Sequence, residues 1–315
     1  MSIKKLLIIP HLKVQNANAL SSPFTIGFPA MTAWLGAVHA LQRKLNQQQL
    51  PVNFIAVGVV SHDMDLQTYK GENDFVHSIV GTGNPLDKAG ARSPFIEEAR
   101  CHVDVSLVIE YYGLTLDDKD ELSVKTAQAL HANMKIAGGD ILSFQTPFRK
   151  TCDDTNDEDR RQISRLLMPG YVLIERSDLM IDSMNDGNDA LAALIDHLSI
   201  HYSCESDDDG NANWSRGRKE HKGKTNGWIV PIATGFQGIS ELGQAKNQRD
   251  PNTPHRFAES VVTLGEFKMP HRLQSIDAML WRYAIEGDLY LCRQRIHQMP
   301  LMSEAEDESI DSEFN

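Results

Sequence analysis

No run of about eighteen consecutive apolar residues occurs in the 315-residue chain, which excludes a helical membrane span. Cysteine is scarce. Cys101, Cys152, Cys204 and Cys292 show no CxxC spacing, so the sequence suggests neither a thiolate zinc site nor a disulfide framework and fits a reducing, cytoplasmic compartment. The signatures GxxxxGK[ST], HExxH and GxSxG are missing, and GTGNP (Gly81 to Pro85) lacks the spacing of a dinucleotide cradle. The N-terminal MSIKKLLIIPHLKV is broken by Pro10, His11 and Lys13 before a secretory core could form, and reads as a first strand. With 41% hydrophobic and 23% charged residues the composition is that of a soluble globular protein, and the length allows two domains or one elaborated domain.

Positive charge is also in deficit, with 31 Lys and Arg against 43 Asp and Glu, a net charge of −12 that weakens the case for a polyanionic partner. Its distribution restores part of that case. The tail after Pro300 carries Glu304, Glu306, Asp307, Glu308, Asp311 and Glu313 and no base, and so supplies half of the net charge; its composition predicts disorder. Exposed charges are screened beyond about 8 Å at physiological salt, so a local basic groove can still hold phosphate.

Leu6 to Val14 predicts a buried strand, and a polar turn-forming stretch, QNANALSSPFTIGFPA, follows it. Met31, Trp34, Leu35, Val38, Leu41 and Leu45 recur at helical steps, with Thr32 as the candidate N-cap. His39 and Arg43 stand four residues apart on that helix, with His39 expected to face the core. A second strand spans NFIAVGVVSHDMD, and the Gly-, Pro- and charge-rich stretch after it reads as an excursion from the sheet. In RCHVDVSLVIEYYG, Val103, Val105, Leu107 and Ile109 alternate with His102, Asp104 and Ser106 in the period of a half-buried strand. A helix from about Asp120 to Ile136, capped by Gly138 and Gly139, and a strand ILSFQTPF complete a β-α-β, β-α-β order over residues 1–150, the pattern of a ferredoxin-like α+β unit. Beyond it, EDRRQISRLLMPGYVLIER predicts a helix running into an apolar segment, DALAALIDHLSIHYS a second helix, GWIVPIATGFQGIS and AESVVTLGEFKMPHRL strands, SIDAMLWRYAI a last helix, and the stretch from Cys204 to Gly227 a loop.

Chemistry-bearing residues are few. SHDMD (His62, Asp63, Asp65) and CHVD (His102, Asp104) place imidazole beside carboxylate, but a single strand offers two ligands and a divalent site needs more, so both read as solvated strand faces. What remains suits RNA: amides and hydroxyls in the QNANA…SSP stretch for base edges and phosphates, and cations at Lys88, Arg92 and Arg100 and at Arg216, Arg218, Lys219, Lys222 and Lys224.

The strings QNANALSSPFTIGFPAMTAWLGAVHALQRK, NPLDKAGARSPFIEEARCHVDVSLVI, MKIAGGDIL, SRLLMPGYVLIER, GWIVPIATGFQGIS and HRFAESVVTLGEFKMPHRL together resemble the family of the second Csy subunit of the subtype I-F CRISPR surveillance complex. These are proteins of the RAMP superfamily. The resemblance implies an RRM-like, ferredoxin-like RAMP domain over residues 1–150 with a thumb-like β-hairpin near residues 71–100, a second, less regular lobe over 151–300, and the acidic tail 301–315 outside the family pattern. It further implies a non-catalytic subunit that holds the 5′ handle of the CRISPR RNA together with the large subunit, caps the filament of backbone RAMP subunits, and meets target DNA only indirectly. No cofactor, metal or membrane is implied.

By matching segment, Asn16, Asn18, Ser21, Ser22 and Phe28 belong to the handle-binding string. Lys88, Arg92 and Arg100 fall in the thumb-like string, and Arg256, His271 and Arg272 in the C-terminal one; Arg43 on the first helix is a further RNA-contact candidate. The alternative activity is a metal-independent RAMP endoribonuclease, which needs a general base near a 2′-hydroxyl and a cation at the scissile phosphate; His62, His102 and His271 are the base candidates.

Overall fold

Strand β1 (Ile3–Asn18) runs through the middle of the fold because both of its faces are apolar: Leu7, Ile9 and Leu12 pack on one side of the sheet, Leu6 and Ile8 on the other. The computed structural model describes residues 3–294 apart from 84, 93–94, 115–118, 133, 207–211, 219–226 and 249. The acidic tail therefore lies outside the described residues, as do Lys219, Lys222 and Lys224.

Along the chain, α1 (Met31–Gln47), β2 (Asn53–Leu66), β3 (Arg100–Tyr112) and α2 (Lys119–His131) follow β1. Next come β4 (Lys135–Ile136), β5 (Gly139–Ser143), β6 (Phe148–Asp153), α3 (Asp157–Leu166), β7 (Tyr171–Glu175), α4 (Ser177–Asn185) and α5 (Ala190–Leu198). The chain closes with β8 (His201–Ser206), β9 (Ala212–Gly217), β10 (Trp228–Gly238), β11 (Ala258–Lys268), β12 (Trp281–Glu286) and β13 (Leu289–Gln294). Eleven strands form one antiparallel sheet in the order β4-β5-β1-β3-β2-β7-β11-β10-β13-β12, with β6 also on β1 and β12 touching β2 through Trp281 and Val57. The sheet crosses residue 150 without a break, since Tyr171 and Val172 pair with Ser61 and Val60.

One face is covered by α1 and α2, where Met31, Trp34, Leu41, Leu45, Leu122 and Leu130 join Val103, Val105 and Leu107 in a single core. Burying each of these large side chains is worth about 1.5–3 kcal/mol. On the other face, Leu6, Ile8, Val60 and Val108 pack against Ile163 of α3, Leu167 at its C-cap, and Met279 and Leu280. At the border of that second core, Lys4 and Arg282 share the carboxylates of Glu110 and Asp277. This ties the first strand to the last part of the chain.

Four expectations are corrected. SIDAMLWRYAI is a 3₁₀ turn (Asp277–Met279) leading into β12: the helical spacing of Ile276, Met279 and Leu280 serves one buried turn, and Trp281 then joins the ladder. Ala137 (φ 49°) and Gly138 (φ 74°) form a two-residue hairpin turn between β4 and β5 instead of capping a helix, because positive φ serves both purposes. The stretch from Cys204 contains the hairpin β8–β9, paired from His201↔Gly217 to Ser206↔Ala212. His39 is exposed, beside a cleft lined by Gln42, Phe54 and Tyr283, because the buried stripe of α1 runs through Trp34, Leu35, Val38 and Leu41. The excursion between β2 and β3 carries two short ladders, Thr68–Tyr69 with Ser78–Ile79 and Gly81–Gly83 with Phe95–Glu97. No helix among the described residues is long and apolar enough to cross a membrane.

Candidate nucleic-acid interface

Two irregularities in β1 shape its polar side. Pro10 has no N–H to give to a ladder, and the pairing jumps from Ile9↔Leu107 to Leu12↔Val105, leaving Pro10 and His11 (φ 46°) opposite Ser106. The second jump, from Val14↔Val103 to Ala17↔Cys101, leaves Gln15 and Asn16 (φ 57°) opposite His102. Asn and His are among the residue types that tolerate this left-handed region best. A third positive-φ residue, Ala137, sits next to them and accepts the Asn18 N–H at 2.8 Å. Gly139 lets the β4–β5 turn come this close: a Cβ there would lie 2.6 Å from the Gln15 carbonyl and 2.7 Å from the Ala17 nitrogen. Sparsely populated backbone of this kind persists where the surroundings over-determine it, and gathers at functional sites.

The side chains of this edge are held in defined poses. The Asn16 backbone N–H donates to Nδ1 of His102 (3.3 Å), while Asn16 Oδ1 accepts from Gln67 (2.6 Å), whose Nε2 also lies 3.1 Å from His102 Nε2. Asn18 closes a local turn, accepting from the Leu20 N–H and donating to its carbonyl. The hydroxyls of Ser21 and Ser22 both meet Thr25 Oγ1, at 3.0 and 2.7 Å.

Asn18 and Arg100 are brought together in a cleft of about 410 Å³ lined also by Leu20, Ala30, Ala33, Glu98, Ala137 and Gly138. Ala30 and Ala33 are the start of α1. The structure places the cap at Ala30 and not at Thr32; no side chain caps the helix and no acid stands in its first turn, and while the Ala33 N–H is taken by the Ala30 carbonyl at 2.9 Å, the Met31 and Thr32 amides remain for an anion. The sequence reading missed this because Thr32 resembles a cap and only the backbone shows that the turn starts before it. Arg100 is held by Glu98 at 2.9 Å, leaving its remaining N–H groups for an acceptor in the cleft.

The other candidates are dispersed. Phe28 is 4% exposed, stacked on Trp34 (5.6 Å) and edge-on to Phe267 (5.4 Å), so its ring is a support under the loop and not a platform for a base. Lys88 and Arg92 are exposed at the end of the excursion, in and beside a tight turn organised by Asp87, whose carboxylate accepts from the Ala89 and Ala91 N–H groups. Arg43 is exposed on α1, twelve residues from its start, roughly 18 Å along the axis. Arg256 is occupied by the Ser240 carbonyl and Asp288. His271 and Arg272 are exposed in the 3₁₀ turn Pro270–Arg272, and His271 borders a second cleft, of about 450 Å³, lined by Arg160, Arg161 and Arg165 of α3.

Asn18 and Arg100 thus meet the start of α1 in one cleft of a mixed α/β protein built on a large antiparallel sheet. The comparisons narrow the class to CRISPR-associated proteins: the family model described as "CRISPR-associated protein (Cas_Csy2)" matches residues 7–292, and the chain belongs to that family. It is also 33% identical, over 316 aligned positions covering 91% of this chain and 94% of the relative, to "CRISPR-associated protein Csy2" of Pseudomonas aeruginosa strain UCBPP-PA14.

Proposed function

We propose that this protein is the non-catalytic subunit of a type I-F CRISPR interference complex that holds the 5′ handle of the CRISPR RNA together with the large subunit and caps the filament of backbone subunits. The observation that carries the reading is the match to the Cas_Csy2 family over residues 7–292, which includes the cleft between β1, α1 and the β4–β5 turn. In this reading the RNA backbone enters that cleft beside Arg100 and the start of α1, and the Asn16–Asn18 edge meets bases. An RRM-like RAMP fold is supported by the strand order, with β5 and β6 beside β1, then β3, then β2, all antiparallel, and both α1 and α2 on one face. The ladders between β2 and β3 are the proposed thumb.

The endoribonuclease alternative keeps one candidate base, His271, which is exposed at the cleft lined by Arg160, Arg161 and Arg165, whereas the other two are occupied. His62 Nε2 meets the Ser106 hydroxyl at 2.7 Å, and both nitrogens of His102 are engaged by Asn16 and Gln67. Co-expression of the chain with its complex partners and repeat RNA, followed by purification through this subunit, tests the proposal. A single RNA with a uniform 5′ end is expected. Recovery of the complex with RNA of heterogeneous 5′ ends rejects handle binding, and cleavage of repeat RNA by the isolated chain in EDTA rejects the non-catalytic assignment.

A further inference from the structure

The two imidazole–carboxylate motifs that look incomplete in sequence meet in space. β2 has its own bulge, with pairing jumping from Ser61↔Val105 to Asp63↔Asp104, so His62 is the extra residue on one side of β3 while His11 is the extra residue on the other. Both rings turn onto the polar face of β3, stacked with centroids 4.2 Å apart, and His11 Nδ1 lies 3.2 Å from Asp104 Oδ1. We propose that His11, His62 and Asp104 form a site for one divalent transition-metal ion of the zinc type.

Each ligand is prepared for that task. His62 Nδ1 donates to the Pro169 carbonyl at 2.5 Å, which fixes the tautomer and leaves Nε2 as the lone-pair nitrogen, the arrangement that orients metal-binding histidines. One ligand atom from each of the three side chains lies within 4.8 Å of the others. Two ligands about 2.0–2.1 Å from a tetrahedral ion stand about 3.3 Å apart, the separation already present between His11 and Asp104. Closing the rest is a side-chain rotation for His11 and Asp104, whose side chains are 35% and 18% exposed. Two imidazoles and a carboxylate suit a borderline-soft cation, and Asp63, opposite Asp104 in the ladder, adds negative charge. The fourth position is left to water. The competitor is internal: the Ser106 hydroxyl holds His62 Nε2 and has to turn away when the ion binds.

The test uses the full chain after chelator treatment, titrated with Zn²⁺ by calorimetry and with Co²⁺ by absorption, on the wild type and on His11→Ala, His62→Gln, Asp104→Asn and Ser106→Ala, each checked for its fold by circular dichroism. One equivalent of Co²⁺ with tetrahedral ligand-field bands is expected, weakened by at least about tenfold in His11→Ala, His62→Gln and Asp104→Asn. Ser106→Ala is expected to bind as tightly as wild type or tighter. Absence of saturable binding by the wild type overturns the proposal. So does binding that His11→Ala and His62→Gln leave unchanged, or that Ser106→Ala abolishes in a folded chain. None of these measurements involves RNA, so the outcome is separate from that of the handle-binding proposal.

Discussion

Lys4 Nζ lies 2.8 Å from Asp277 Oδ1, an ion pair between residues 273 positions apart whose lysine is 5% exposed. Burial raises the Asp277 pKa, but Lys4 and Arg282 outweigh it and hold the carboxyl below its usual range. Its folded pKa is therefore lower than its unfolded one, so its contribution is fully present above about pH 4 and is lost as the pH falls through the folded value. Asp277→Asn leaves two cations sharing Glu110 and is expected to cost about 3 kcal/mol at pH 7 in urea unfolding, with the gap to wild type narrowing in acid. A constant gap across that range contradicts the assignment.

Glu175 has the opposite sign. Burial raises its pKa against the hydrogen bond from the Gln294 N–H, so the folded state holds its proton more tightly and stability falls as the pH rises from about 4.3 through the folded value. Glu175→Gln keeps the acceptor without the charge. The variant is expected to be more stable than wild type at pH 7 and equal to it at pH 4, measured as the difference in denaturation midpoint; a variant less stable at both is the contrary result.

Phe28→Ala should damage folding before recognition. Removing a ring that is 4% exposed between Trp34 and Phe267 leaves a cavity, with an expected loss of about 3–5 kcal/mol. A melting temperature within a degree or so of wild type, with RNA binding lost, would instead give Phe28 a direct part in holding RNA.

Asn16 and Lys88 should fail in different ways on handle RNA in the assembled complex. Asn16→Ala removes a carboxamide that can read a base edge and is expected to cost about 1–3 kcal/mol and relax discrimination among handle variants. Lys88→Ala should weaken all sequences alike and lower the slope of log K against log salt by roughly 0.7. Unchanged discrimination by the asparagine variant means that Asn16 only shapes the bulge.

The thiols should divide one against three. Cys204 is exposed, whereas burial pushes Cys101 and Cys152 up to about 11 and Cys292 up to about 12. Titration with a thiol reagent near neutral pH is expected to label Cys204 at once and the rest only after denaturation. Early reaction of Cys292 would show that β13 opens in the native state.

What could be read from the sequence was the local periodicity. The alternation through Val103, Val105, Leu107 and Ile109 and the stripe from Met31 to Leu45 are properties of single segments, and both elements formed with nearly the expected limits. The bulges at His11, Asn16 and His62 were not legible, because a bulge exists only as a mismatch between two strands and Pro10 was its sole local trace. Trp281 misled for the same reason: its partners, Gln294 on one side and Val57, 224 residues away, on the other, belong to other strands, and the helical spacing before it belongs to one turn. Of the site, residue types and the segments at Asn16, Asn18 and Arg100 were visible, while the uncapped start of α1 and the meeting of His11 with His62 required the register.

The continuity of the sheet through β2 bears on how the chain is made. At about 5–20 residues per second, the ribosome needs about 5–20 s to travel from Leu66 to Tyr171, the first residue that pairs with the outer edge of β2. Until then the nascent chain carries an apolar strand, including Val57, Val59 and Val60, with its outer edge unpaired, a template for any neighbouring strand. Tyr171 and Val172 cover only Ser61 and Val60, and Val57 waits for Trp281, so a chain that stalls in this interval is expected to expose a pairing edge.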